Sequence, residues 1–269
     1  MARLDNQPIL RRILGDCLDV LRQRGDASVA LKGSLARGNA DAYADIDLVV
    51  VPPGWVAEPA WQEAVVADIC GLGRAVSVFR ATHIPLPNVW IIFLDIQGQI
   101  VKVDIDFAPK ENVTDPAHIV LHDPAGTLER TLSHPATLPP EDFPDLFRKF
   151  TGWAWYTYTK IARGELFEGD SSLEVMRQQA LLPFLHQRHG LPREGFRWLE
   201  ERLPAGTQQH LLATYPASLE RAELMRALRA LVDLFDLVSA DVLGLGSPSA
   251  APADLGAITE AILRAEGLD

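Results

Sequence analysis

Apolar positions fall into two rhythms along this chain. Residues 7–24 place Ile9, Leu10, Ile13, Leu14, Cys17, Leu18 and Leu21 at helical spacing, with polar residues between them. Ser28–Lys32 is a short apolar run leading into Gly33, and Ile46–Val51 is another, stopped by Pro52-Pro53-Gly54; both read as strands. Residues 58–70 predict a helix, and Arg74–Arg80 and Val89–Asp95 predict strands. After the hairpin-like break at Asp95-Ile-Gln-Gly98-Gln99 comes IVKVDIDF at 100–107. Val101, Val103, Ile105 and Phe107 alternate there with Lys102, Asp104 and Asp106, a period-2 strand with one apolar and one charged face.

From about residue 108 prolines take over, at 109, 116, 124, 135, 139, 140 and 144, and the stretch reads as a linker. Beyond it the pattern is helical: 145–167, 171–188, shorter helices near 193–202 and 207–213, a long helix from Ser218, and a last one over 252–266. An α/β half, residues 1–140, is therefore expected to precede a helical bundle, residues 141–269.

Composition narrows the function classes. The 269 residues are 48% hydrophobic and carry a net charge of −11. Nucleic-acid binders replace counterions with a basic surface, which disfavours that class here. The acidic balance suits a cationic small-molecule substrate. Cys17 and Cys70 are the two cysteines. They make neither a disulfide framework nor a cysteine zinc site, which fits a reduced, cytoplasmic setting. The N-terminal MARLDNQPILRRILGDCLDVL lacks the continuous apolar core of a signal peptide, and no run reaches the ~18 apolar residues of a membrane span. The oligomeric state is not written in the pattern.

The informative stretch is GSLARGNADAYADID at 33–47. In a strand, residues two apart share a face, so Asp45 and Asp47 present neighbouring carboxylates. Two such charges resist ionisation unless a cation lies between them. Oxygen ligands of this kind suit Mg²⁺. Upstream, Gly33 lets backbone N–H groups approach a phosphate, and the Ser34 hydroxyl adds a donor. A phosphate cradle followed by a metal-holding strand is what phosphoryl or nucleotidyl transfer needs. A DxD alone reads as readily as a turn or a helix cap. Its strand context and a second acidic pair, Asp104 and Asp106, favour the metal reading.

GSLARGNADAYADIDLVVV resembles the signature of the DNA-polymerase-beta-like nucleotidyltransferase superfamily, Gly-Ser followed by Asp-x-Asp. Within it the chain resembles the aminoglycoside and lincosamide nucleotidyltransferases. The N-terminal likeness covers about residues 28–107, and a weaker one continues through TGWAWYTYTKIARGELFEG and LEVMRQQALLPFLHQR. The resemblance implies an α+β protein: an N-terminal mixed-sheet nucleotidyltransferase domain followed by a C-terminal helical bundle. It implies an enzyme that transfers AMP from ATP to a hydroxyl of an aminoglycoside-type antibiotic, with Mg²⁺ as cofactor and release of pyrophosphate. Gly33 and Ser34 would hold the β- and γ-phosphates, and Asp45 and Asp47 two Mg²⁺. A third carboxylate would complete the metal site and take the proton from the attacking hydroxyl. Asp104 and Asp106 compete for that place, and the acid followed by an alternating apolar stretch, as in KVDIDFAP, favours Asp104. Arg37 resembles a position facing the nucleotide, and equally an exposed loop arginine. A lincosamide, a protein or an RNA end is an alternative acceptor, and a non-catalytic nucleotide-binding or toxin–antitoxin module is an alternative class.

In the helical half Lys149, Trp153, Tyr156, Lys160 and Arg163 fall on one helix face. Lys160 and Arg163 are candidates to grip the triphosphate. The same stripe reads as a solvated basic face balanced by Glu165 and Glu168. Glu165, Glu168 and Asp170, with Glu174, are candidates to bind the ammonium groups of an acceptor, or acids of a solvated loop and helix start. His83, His118, His122, His134, His186, His189 and His210 lack zinc spacing and read as structural.

Overall fold

The computed structural model describes residues 7–52, 54, 58–82, 88–132, 140–244, 257, 260–262 and 264. The chain divides into two compact units, Met1–Leu138 and Pro139–Asp269.

In the first unit, α1 (Pro8–Arg22) opens with a proline in its first turn, where a missing N–H costs nothing. It buries Leu10, Ile13, Leu14, Cys17, Leu18 and Leu21 along one stripe. Then come β1 (Ser28–Lys32), the short α2 (Gly33–Arg37), β2 (Ile46–Val51), α3 (Pro59–Cys70), β3 (Arg74–Arg80), β4 (Val89–Ile96) and β5 (Gln99–Phe107). Two further elements, β6 (Ile119–His122) and α4 (Thr127–Leu132), complete the unit. The six strands form one mixed sheet in the order β3-β4-β5-β2-β1-β6. Only β2 and β5 run parallel, and the other pairs are antiparallel.

Alternation sorts each strand onto two faces. Val29 and Leu31 of β1, Ile46, Leu48 and Val50 of β2, and Val101, Val103, Ile105 and Phe107 of β5 pack with α1 and α3 into the main core of this unit. The opposite face carries Ala30, Val49 and Val51, which pack with Leu128 of α4 in a smaller cluster. Lys32, Asp47, Lys102, Asp104 and Asp106 follow the same alternation and belong to that second face.

The 108–132 part of the expected linker is structured instead. β6 pairs with β1, through Ala30↔Val120 and Leu31↔Ile119. Asp123 then starts α4, accepting hydrogen bonds from the N–H groups of Thr127, Leu128 and Glu129 and from Ser28 Oγ. The prolines bracket these elements rather than replacing them.

The second unit is helical: α5 (Phe143–Ala162), α6 (Leu166–Met176), a π-helical turn (Arg177–Leu181), α7 (Leu182–His189), α8 (Leu199–Arg202), α9 (Ala205–Ala213) and α10 (Arg221–Val242). The Asp142 side chain caps α5 by accepting from Asp145 N–H. The helix expected over 145–167 ends at Ala162. Gly164, at φ 79°, lets its own N–H reach Ile161 C=O and the Glu165 N–H reach Lys160 C=O, the pairing of a Schellman stop. The next helix starts at Leu166 rather than 171. At Gly169 a Cβ would come within 2.7 Å of Ile161 Cγ1, so the glycine that reads as a loop residue is a close contact between α5 and α6. Pro183 cannot donate a helical hydrogen bond, and the π turn lies just before it. The helix expected at 193–202 forms only over Leu199–Arg202. Of the last expected helix, 252–266, the residues outside 257, 260–262 and 264 lie outside the described set, and those five are helical.

The core of this unit is aromatic. Phe150 and Phe235 stack with centroids 3.6 Å apart, and Phe184 meets Phe235 edge-on at 5.0 Å. Arg177 is buried at 2% exposure, donating to Thr214 C=O and Glu174 and lying over the Tyr215 ring. Among the described residues no helix is long and apolar enough to cross a membrane.

Candidate metal and nucleotide site

The site is built by strand register. Lys32 of β1 stands opposite Asp47 of β2, and Asp47 stands opposite Asp104 of β5. Asp45 precedes β2 by one residue and shares the face of Asp47. Asp45, Asp47 and Asp104 each bring a carboxylate oxygen into a group whose members all lie within 4.8 Å of one another. Among the described residues this is the one cluster of acidic, histidine or cysteine groups spaced to hold a metal ion. Asp106, two residues further along β5, is held by Lys32 at 3.1 Å and is not part of that cluster.

The three carboxylates are not equivalent. Burial pushes Asp47 up to about 6, and the charges of Asp45 and Asp104 add to it. Burial also raises Asp104, more than Lys102 lowers it. Burial works against Asp45 too, but the Lys102 hydrogen bond and charge outweigh it and hold this carboxyl below its ordinary value. Lys102 Nζ lies 2.6 Å from Asp45 Oδ2 and 2.8 Å from Asp104 Oδ2.

The residues fit a divalent metal on an observation independent of their spacing. Asp104 Oδ1 is buried and has no hydrogen-bond partner. A buried carboxylate oxygen without a donor costs free energy, which a cation would recover. The set is all oxygen, which suits a hard ion such as Mg²⁺.

Gly33 joins the cradle to the carboxylates. Its φ is +72°, a conformation that L side chains rarely adopt. A Cβ there would collide with Asp47 Oδ2 and come within 2.8 Å of Asp47 Cγ. The backbone at Gly33 is thus pressed against the acidic cluster because no side chain intervenes. Ser34 and Arg37 sit on the single short helix that follows, which closes at Gly38 with a left-handed C-cap. The chain between the cradle and Asp45 is therefore partly helical rather than an unbroken loop.

The sequence reading gave no role to two neighbours of the cluster, Lys102 and Lys32. Lys102 was legible as a member of the charged face of β5, two residues before Asp104. Its second partner, Asp45, comes from another strand and requires the parallel register. Outside the cluster, His118 Nδ1 is buried without a partner, and burial lowers its pKa, with Asp115, Lys32, Asp106 and Arg37 acting on it.

Lys160, Arg163, Glu165, Glu168 and Asp170 belong to the helical unit. Lys160 Nζ pairs with Glu165 at 2.7 Å and lies over the Tyr156 ring, and Tyr156 donates to Glu168. Arg163 reaches Glu165 at 4.0 Å. Asp170 is half-buried on α6, and Lys149 pairs with Asp145. His186 is buried and hydrogen-bonded to Gly195 C=O. His83 and His134 lie outside the described residues.

Comparison with known proteins agrees with this unit. Residues 14–120 match the family model described as a nucleotidyltransferase domain. The matched stretch runs from α1 to β6 and contains the whole carboxylate cluster. The match covers less than half of the chain and supports an enzyme of nucleotidyl transfer. No curated protein matches the chain. A solved structure described as a nucleotidyltransferase-like protein from Exiguobacterium sibiricum 255-15 aligns with 99% of this chain and 92% of its own. Identity is 10% and the TM-score 0.37, a likeness too slight to argue from.

Proposed function

We propose that the protein is a magnesium-dependent adenylyltransferase that moves AMP from ATP to a hydroxyl of an aminoglycoside-type acceptor and releases pyrophosphate. The observation that carries the metal and transfer reading is the convergence of Asp45, Asp47 and Asp104 within 4.8 Å, with Asp104 Oδ1 buried and unpartnered. The nucleotidyltransferase domain match supports the reaction class. The net charge of −11 supports an acceptor that carries ammonium groups.

Asp45, Asp47 and Asp104 would hold Mg²⁺. When bound, it supplies a Lewis acid that draws charge from the phosphate under attack. The chain's own residues do the rest. Gly33 keeps the cradle backbone open at the edge of the cluster, and the Ser34 hydroxyl donates to a phosphate oxygen. Asp104, the third carboxylate, is the group that takes the proton of the attacking hydroxyl. Lys32, two residues before Ser34 and paired with Asp106, is a basic side chain next to the cradle that could assist the departing pyrophosphate.

The test is transfer of label from α-labelled ATP, or GTP, to a panel of aminoglycosides and lincosamides, with pyrophosphate release followed in parallel. Transfer to an aminoglycoside that Asp47→Ala abolishes without unfolding the protein is the expected result. Full activity in that variant overturns the metal assignment. A flat response across the panel overturns the drug acceptor, and label appearing on protein or RNA redirects it.

A further inference from the structure

We propose that Lys102 is the resident cation of the carboxylate cluster, so that the site takes one divalent ion rather than two. The inference rests on the metal reading above and concerns what this chain's own residues leave for the metal. Lys102 and Asp104 are two apart on β5 and share a face, while Asp45 comes from the neighbouring strand segment. The ammonium therefore bridges two carboxylates from different parts of the sheet, at 2.6 and 2.8 Å. It is not an exposed surface contact: the Lys102 and Asp45 side chains are each 31% exposed and Asp104 is 17% exposed.

Charge points to a single ion, and the oxygens that Lys102 leaves can hold it. Two-metal sites hold their ions about 3.5–4 Å apart, and each ion draws on carboxylate oxygens of the shared set. Here one oxygen of Asp45 and one of Asp104 are taken by Lys102 Nζ. Asp45 Oδ1, Asp104 Oδ1 and the Asp47 carboxylate remain beside it. Mg²⁺ needs only one or two carboxylates besides water and phosphate oxygens, so this remainder suffices for one. Three carboxylates against one ammonium leave two negative charges, which one divalent cation neutralises. A second would leave the cluster positively charged with Lys102 in place. Lys32 does not alter the count, because Asp106 balances it at 3.1 Å. An ammonium is a compact charge on a flexible stem, so it can fill a cation position without a metal's strict geometry.

The test counts ions on the full-length chain with Mn²⁺ as probe and no nucleotide. Equilibrium dialysis gives the stoichiometry, and electron paramagnetic resonance separates an isolated Mn²⁺ from an exchange-coupled pair. The wild-type protein is expected to bind one Mn²⁺ per chain with an uncoupled spectrum. Lys102→Met should bind two, with a coupled spectrum, and Lys102→Arg, which keeps the charge, should bind one. A coupled pair in the wild-type protein overturns the proposal even if Lys102→Met fails to fold. So does a single ion in a folded Lys102→Met, whatever its affinity, because Lys102 would then only compete for one position. No Mn²⁺ on the wild-type chain sinks the metal reading itself, whereas two sinks only the count.

Discussion

Asp47→Asn should stabilise the metal-free protein at neutral pH while removing its activity. Asp47 is partly buried and faces two other carboxylates, and its carboxyl is pushed from 3.8 up to about 6. At about 1.36 kcal/mol per pKa unit, that rise corresponds to roughly 3 kcal/mol against the ionised form. Water still reaches part of the group, so the effect on stability is taken as ~1–2 kcal/mol. The folded value lies above the unfolded one. The favourable contribution of Asp47 is therefore complete below about 3.8 and is lost as the pH rises through about 6. Asparagine keeps the shape and never ionises, so it avoids that loss.

Urea unfolding in the presence of a chelator measures the difference directly. At pH 8 the variant should exceed the wild type by ~1–2 kcal/mol. At pH 5, midway through the titration window, the advantage should shrink to roughly half. Millimolar Mg²⁺ should narrow the gap at pH 8, because an ion that binds only the native wild-type chain stabilises it by mass action. A variant less stable than the wild type at pH 8 without metal would refute the reasoning. So would an advantage that is the same at pH 5, since a cause other than carboxylate repulsion would then be at work.

Two substitutions probe the support around the cluster. Gly33→Ala forces a Cβ into the space of the Asp47 carboxylate at a φ of +72°; it should cost at least ~1–2 kcal/mol in urea unfolding and reduce transfer together. Asp123→Ala leaves three α4 N–H groups and Ser28 Oγ without their acceptor; it should cost ~1–2 kcal/mol by the same assay and leave the Mn²⁺ count unchanged, because Asp123 is outside the cluster.

β1 to β5 of the first unit were legible because each carries a run of apolar residues or strict alternation. β5 is the clearest case, with its apolar face fully buried and its charged face forming the site. β6 was hidden for the opposite reason. Its four residues, Ile119 to His122, range from exposed to half-buried and show no alternation, and prolines surround them. It is a strand because β1 offers an unpaired edge, which is a tertiary cause that no local pattern carries. The start of α6 was hidden similarly: Gly169 and Asp170 fell between the helices read over 145–167 and 171–188, yet Gly169 is where the backbone passes close to Ile161.

The same division separates the parts of the site. Asp45 and Asp47 could be paired from sequence because two residues on one strand share a face whatever the strand is paired with. Asp104 and Asp106 could not be separated that way, since both satisfy the alternation. The parallel β2–β5 register distinguishes them, setting Asp104 opposite Asp47 and Asp106 opposite Val49. It also turns Lys102 from one more charged residue on a strand into a bridge between Asp45 and Asp104. Sequence motifs name the anions of such a site, since carboxylates cluster in short spacings. Its cations come from wherever the sheet brings a lysine alongside, so the charge balance that decides how many metal ions fit is a property of register rather than of motif.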